Sequence, residues 1–161
     1  AQLWQEPHRE SQYMAIPLAE HFREYRASES MPLFRWMVSS SKCWDTLDPI
    51  ATNLVGQLVL AQRNDEKNLI RWQNSEHLWS RRASLLAHLK HRTELNFELI
   101  SATILVLATD RDFFIQKAIG WLLREMSKLH PDWVSHFVMR HRTKLSGLSQ
   151  REALKRLKVS Y

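Results

Sequence analysis

Three glycines and five prolines in 161 residues leave this chain too few turn formers for a fold built from sheets. A β-sandwich or barrel needs a turn signal every ~8–12 residues. Apolar residues here recur instead at three- and four-residue intervals, the period of a helix with one buried face. The expectation is an all-α domain, and 161 residues suffice for one domain with a real core.

Taken in order, the pattern predicts a helix over Leu3 to Tyr25, with Tyr13, Ile16, Leu18 and Phe22 inward and a kink or break at Pro17. Met31-Pro32 restarts the chain, and Leu33, Trp36 and Met37 mark a helix that stops in Ser39-Ser40-Ser41. A helix through about Ala61 carries Ile50, Leu54, Leu58 and Ala61 on one line. Asn64-Asp65 caps a short helix to about Trp72, and Asn74-Ser75-Glu76 opens a longer one to about Arg92, with the stripe Leu78, Arg82, Leu86, Leu89. Leu95 to Ala108 is apolar nearly all round, with Ile100, Ile104 and Leu107 aligned, and reads as a central buried helix.

Asp110-Arg111-Asp112 caps the helix that follows, to about Leu129. It divides into two faces: Ile115, Ile119, Leu122 and Met126 form a core line, while Lys117, Trp121, Arg124 and Lys128 form a basic stripe around one tryptophan. Pro131 starts a helix with Trp133, Phe137 and Val138 inward, ending around Leu145 to Gly147. Ser149-Gln150-Arg151-Glu152 has capping-box spacing and opens a last helix through Leu157. Helix pairs occupy roughly thirty to forty residues each, as in a helical solenoid. A spacing of 34 residues separates Asp48 from Arg82, and 39 separate Arg82 from Trp121. In such a repeat Trp44, Asp48, Arg82 and Trp121 can project onto one concave surface.

Charge and composition narrow the partners. The 23 basic and 17 acidic residues give a net +6 and a pI near 9.8, which suits an anionic partner such as nucleic acid and equally serves solubility. Cys43, the single cysteine, excludes an internal disulfide and fits a reducing, intracellular compartment. Metal catalysis has little support: His88 and His91 stand three residues apart without an evident third ligand and are expected on a solvated face. The apolar run Leu99 to Ala108 is too short for a bilayer core of ~30 Å, and no signal peptide is evident. The chain opens at Ala1 and reads as a piece of a longer protein.

Two places carry chemistry. Trp44 and Asp48 in Cys43-Trp44-Asp45-Thr46-Leu47-Asp48-Pro49-Ile50 are four residues apart, so in a helix an aromatic surface and a carboxylate share one face. An acid near a helix start is more often a cap. Pro49 adds weight to that alternative, because proline disfavours helical geometry in the residue before it and would make Asp48 the N-cap. Arg82, the one charge on an apolar stripe, has to snorkel or pair with a carboxylate or phosphate, and a purely structural ion pair is an equal reading. Trp121 among cations suits a sugar, base or phosphate backbone, while periodicity alone favours a half-buried packing role. Arg81, His88 and Arg92 fall on a separate, solvated stripe.

The segments Cys43 to Ala51, Leu78-Trp79-Ser80-Arg81-Arg82-Ala83, Phe113 to Glu125 and Leu148-Ser149-Gln150-Arg151-Glu152-Ala153-Leu154 together resemble the DNA alkylation repair family, in order from about Leu3 to the C-terminus. The most specific part runs from Gln116 to Glu125. The resemblance implies a single HEAT-like α–α superhelix over residues 1–161, lacking upstream helices of its relatives, that binds duplex DNA and excises N3- and N7-alkylated purines. It implies Asp48 as the catalytic residue, Trp44, Arg82 and Trp121 at the substrate, and Arg81, Lys117, Arg124 and Lys128 on the DNA. No cofactor or metal is expected, and a monomer is. A binding module for unusual DNA and a protein-interaction scaffold are the competing uses of such a fold.

Overall fold

The structure is a computed structural model that describes residues 1–22 and 27–157. Every regular element among the described residues is helical, with no strand. These residues fall into two compact units, Ala1–Lys90 and His91–Tyr161.

In the first unit α1 (Gln2–Gln5) and α2 (Arg9–His21) are separated by a bend at Glu6-Pro7-His8, whereas Pro17 lies inside α2 without ending it. The expected break is therefore displaced by about ten residues. Pro17 deprives only the Tyr13 carbonyl of its helical partner, and Tyr13 and Pro17 are both exposed, so water can satisfy that group. The expected end of this helix at Tyr25 lies outside the described residues. Trp4 is buried, and its indole N–H donates to Ser40 Oγ at 2.8 Å. α3 (Met31–Ser40) starts at Met31-Pro32 and stops in the serine run as the sequence predicts.

The rod that follows positions the site. α4 (Trp44–Pro49) passes without a break through a π-helical stretch, Ile50–Val55, into α5 (Gly56–Ala61). Ile50, Leu54 and Leu58 are buried as expected, together with Ala51, Val55 and Val59, whereas Ala61 is exposed. The widened turn adds a residue to the helical count and so rotates the end of the rod away from the 3.6-residue phase. The Gly56 N–H bonds the Ala51 carbonyl, five residues back, and the Thr52 hydroxyl donates to the Asp48 carbonyl at 2.8 Å.

α6 (Glu66–Gln73) leads to α7 (Leu78–Leu86), which packs against the rod. α7 is shorter than predicted. The chain leaves it through turns at Ala87 to Lys90, and Arg92 takes a left-handed φ of 53°. This early exit carries His88 and His91 into the interior rather than onto a solvated face. Gly56 makes the contact between rod and α7 possible: a Cβ at residue 56 would lie 2.3 Å from the Ala87 carbonyl oxygen.

In the second unit α8 (Phe97–Leu107), capped by the Asn96 side chain, buries Ile100, Thr103, Ile104 and Leu107. It is not buried all round, since Ala102 and Val106 are exposed. α9 (Phe113–Met126) is capped by Asp112, whose carboxylate accepts the Phe114 N–H at 2.7 Å, and its core line Ile115, Ile119, Leu122, Met126 is buried as predicted. α10 (Pro131–Arg140) buries Val134, Phe137 and Val138 and stacks the half-buried Trp133 on Phe137.

The start of α11 (Gly147–Leu154) differs from the expectation. Ser146, not Ser149, is the cap, accepting the Ser149 N–H at 3.1 Å. Ser149 and Glu152 are buried instead against α9, where the Ser149 hydroxyl donates to the Gln116 carbonyl at 2.8 Å. Gly120 permits this approach, because a Cβ there would lie 2.4 Å from Glu152 Cβ.

Candidate active site

Asp48 and Arg82 form a bidentate pair inside the first unit. Arg82 Nε donates to Asp48 Oδ1 and Nη2 to Oδ2, both at 2.8 Å. The two planar groups meet in the fork geometry that gives such pairs direction as well as strength. The Arg82 side chain is 5% exposed and that of Asp48 13%, so the pair is largely removed from water and the carboxylate is its more accessible partner.

Asp48 is therefore not an N-cap. The helix begins four residues earlier, with Cys43 as the N-cap, and Pro49 takes helical φ and ψ of −65° and −34°. Pro49 deprives only the Asp45 carbonyl of a helical partner, and the Ile50 N–H spans the Thr46 and Leu47 carbonyls. Arg82 does not snorkel: it is buried and held by a carboxylate.

Trp44, one helical turn before Asp48, is 50% exposed. Beside it Asp45 accepts from Arg9 and from the Tyr13 hydroxyl, fastening the start of α4 to α2. No periodicity in the sequence signals that contact across more than thirty residues. Arg81, expected to face DNA, donates to the carbonyls of Ser75 (2.9 Å) and Glu76 (2.7 Å), closing the loop before α7.

The other predicted residues lie in the second unit. Trp121 is half-buried on α9, in the stripe with Lys117, Arg124 and Lys128. Each of these cations meets a carboxylate: Lys117 meets Glu152 at 2.9 Å, Arg124 also meets Glu152, and Lys128 meets Glu125. Glu152, read from the sequence as a capping residue, is thus the anionic centre of this face.

A family model for the DNA alkylation repair enzyme matches residues 1–157. The chain belongs to that family. Its role is accordingly in DNA alkylation repair. A solved structure, a predicted DNA alkylation repair enzyme from Enterococcus faecalis, is 32% identical over 98% of this chain and 73% of its own length, with a TM-score of 0.88. No curated protein matches. Family membership accounts for an all-helical repeat fold and makes DNA the substrate class. Among the described residues no helix is long and apolar enough to cross a membrane, and no three His, Cys, Asp or Glu side chains group as a metal site would.

The Glu152 cluster is expected to contribute acid sensitivity in a defined window. The Lys155 ammonium, then that of Lys117, hold the Glu152 carboxyl at about 2 against an ordinary 4.5, outweighing burial. A depressed folded value means the stabilisation is fully present above the unfolded value and is lost as pH falls through the folded one. Thermal melts should therefore decline between pH 4.5 and about 2, and Glu152→Gln should flatten part of that decline. An unaltered acid limb in the variant would remove Glu152 as its source.

Proposed function

We propose that this protein is a monofunctional DNA glycosylase that hydrolyses the N-glycosidic bond of N3- and N7-alkylated purines in duplex DNA. The observation that carries the reading is the Asp48–Arg82 pair, a carboxylate gripped at both oxygens one helical turn from an exposed tryptophan. An alkylpurine quaternised at N3 or N7 already bears positive charge and departs readily, so no strong general acid is needed. The barrier lies in the electron-poor sugar left behind.

One fixed carboxylate meets that need. Asp48 stabilises the oxocarbenium-like sugar electrostatically and orients the attacking water, and Arg82 fixes the carboxylate so that little reorganisation accompanies the reaction. The face of Trp44 favours a cationic sugar or base. Trp121 offers a second aromatic surface, set in the cationic stripe of α9 that would follow the phosphate backbone. Arg81, which closes the loop ahead of α7, adds a further cation for the DNA.

The direct test incubates the protein with methylated duplex DNA and measures released purines. Release of 3-methyladenine or 7-methylguanine at abasic-site stoichiometry is the expected result. DNA binding that falls with salt but yields no purine above background would overturn the glycosylase reading and favour a non-catalytic module. Release with no dependence on added or chelated metal is also expected.

A further inference from the structure

Glu152 is a buried carboxylate that draws three cations together. Its Oε1 takes the ammonium groups of Lys117 and Lys155 and its Oε2 the guanidinium of Arg124. The anion lies inside and the cations outside: the Glu152 side chain is 5% exposed, those of Lys117 and Lys155 38% and 55%. An ammonium has three donors and a guanidinium five, so each partner keeps donors for a ligand approaching from solvent. One carboxylate against three cations leaves a local excess of positive charge, held in place rather than spread over mobile side chains.

The chain is shaped to put Glu152 there. Gly120 occupies the middle of α9, where glycine costs roughly 0.5–1 kcal/mol relative to alanine. Any larger residue at that position would collide with Glu152 Cβ or the Ser149 carbonyl, at 2.4 and 3.0 Å. Ser149 adds the hydrogen bond that fixes the register of α11 on α9. A mere neutralising acid on the surface would need none of this.

We infer that Lys117, Arg124 and Lys155, gathered over Glu152, form a phosphodiester-binding site for the DNA backbone, with Glu152 as its positioning residue. The inference rests on the DNA-directed reading above and adds to it a cation and an acid from α11. The acid contributes by fixing the three donors before DNA arrives, which reduces the side-chain entropy lost on binding.

The sign of one substitution separates positioning from bulk charge. Glu152→Gln raises the net charge from +6 to +7, so a simple charge count requires tighter binding. Loss of positioning requires the reverse. Fluorescence anisotropy with an undamaged duplex over a salt series should show Glu152→Gln binding several-fold more weakly, with a shallower salt dependence. Lys155→Ala, at an exposed side chain, should lower the slope of log K against log salt by about one.

Equal or tighter binding by folded Glu152→Gln overturns the positioning role. An unchanged slope in Lys155→Ala overturns the phosphate site, and this readout survives if Glu152→Gln fails to fold. Because the duplex is undamaged, absence of purine release by the wild type leaves both readouts intact. Absence of any salt-dependent binding by the wild type would instead bring down the DNA-directed reading and this site with it.

Discussion

Asp48→Asn is expected to slow purine release by at least about 100-fold, the scale seen when a single preorganised electrostatic group is removed from a reacting centre. Affinity for undamaged duplex should change little, because the proposed backbone contacts lie chiefly on α9 and α11. Asparagine keeps the shape of the side chain but places an NH2 where Arg82 presents a donor, so one arm of the fork becomes donor against donor. A buried guanidinium that loses its counter-charge costs about 3–5 kcal/mol, and the 13% exposure of the Asp48 side chain places this case toward the lower end. Activity must therefore be compared at a temperature where both proteins are folded by circular dichroism.

A second variant separates chemistry from stability. Asp48→Asn combined with Arg82→Met removes the uncompensated charge and should recover much of the thermal stability without recovering release. Release by folded Asp48→Asn above a tenth of the wild-type rate would end the catalytic assignment and leave the pair as a structural one.

Gly56→Ala is expected to be the most damaging small substitution in the first unit. The added methyl would lie 2.3 Å from the Ala87 carbonyl oxygen and 3.2 Å from that of Ala51, both backbone atoms with no rotamer to yield. Alanine favours a helix over glycine by about 1 kcal/mol, so propensity alone predicts stabilisation. Overpacking of this kind costs ~1–3 kcal/mol, and for a unit of this size each kcal/mol shifts Tm by roughly 4–8 °C. A net fall in Tm is the expected sign.

The same contact sets the spacing of the rod from α7, and Asp48 and Arg82 project from those two elements. A shift of about 1 Å in a reacting group can cost 100-fold in rate, so purine release should fall more than duplex binding. Gly147→Ala is the control: its Cβ would meet only the flexible end of Arg151 at 3.3 Å, and Tm should hold. If Gly56→Ala melts at or above the wild-type temperature, the close approach is not a constraint on the fold.

The limits of sequence reading show clearly at particular residues. The core line of α9 was legible because one amphipathic helix encodes its own buried face. Pro131 and Asp112 marked helix starts correctly because their effects act within one turn. The same local logic misread Ser149 and Glu152, whose spacing imitates a capping box although both side chains serve α9, about thirty residues away. It also misplaced His88 and His91, since a helical projection continues past the point where α7 stops.

At the site, Trp44, Asp48 and Arg82 could be singled out from residue type and spacing, and the family resemblance gave them roles. What the sequence determined alone was an all-helical chain, the faces of its longer helices and a short set of candidate residues, because each follows from interactions within a few residues. Tertiary structure alone decided where those side chains point. Asp48 lies inside α4 although Pro49 follows it, Gly56 lets the rod approach α7 closely, and the bidentate contact with Arg82 closes between residues 34 apart. No local rule fixes such a contact, because its geometry is the outcome of backbone packing rather than of propensity.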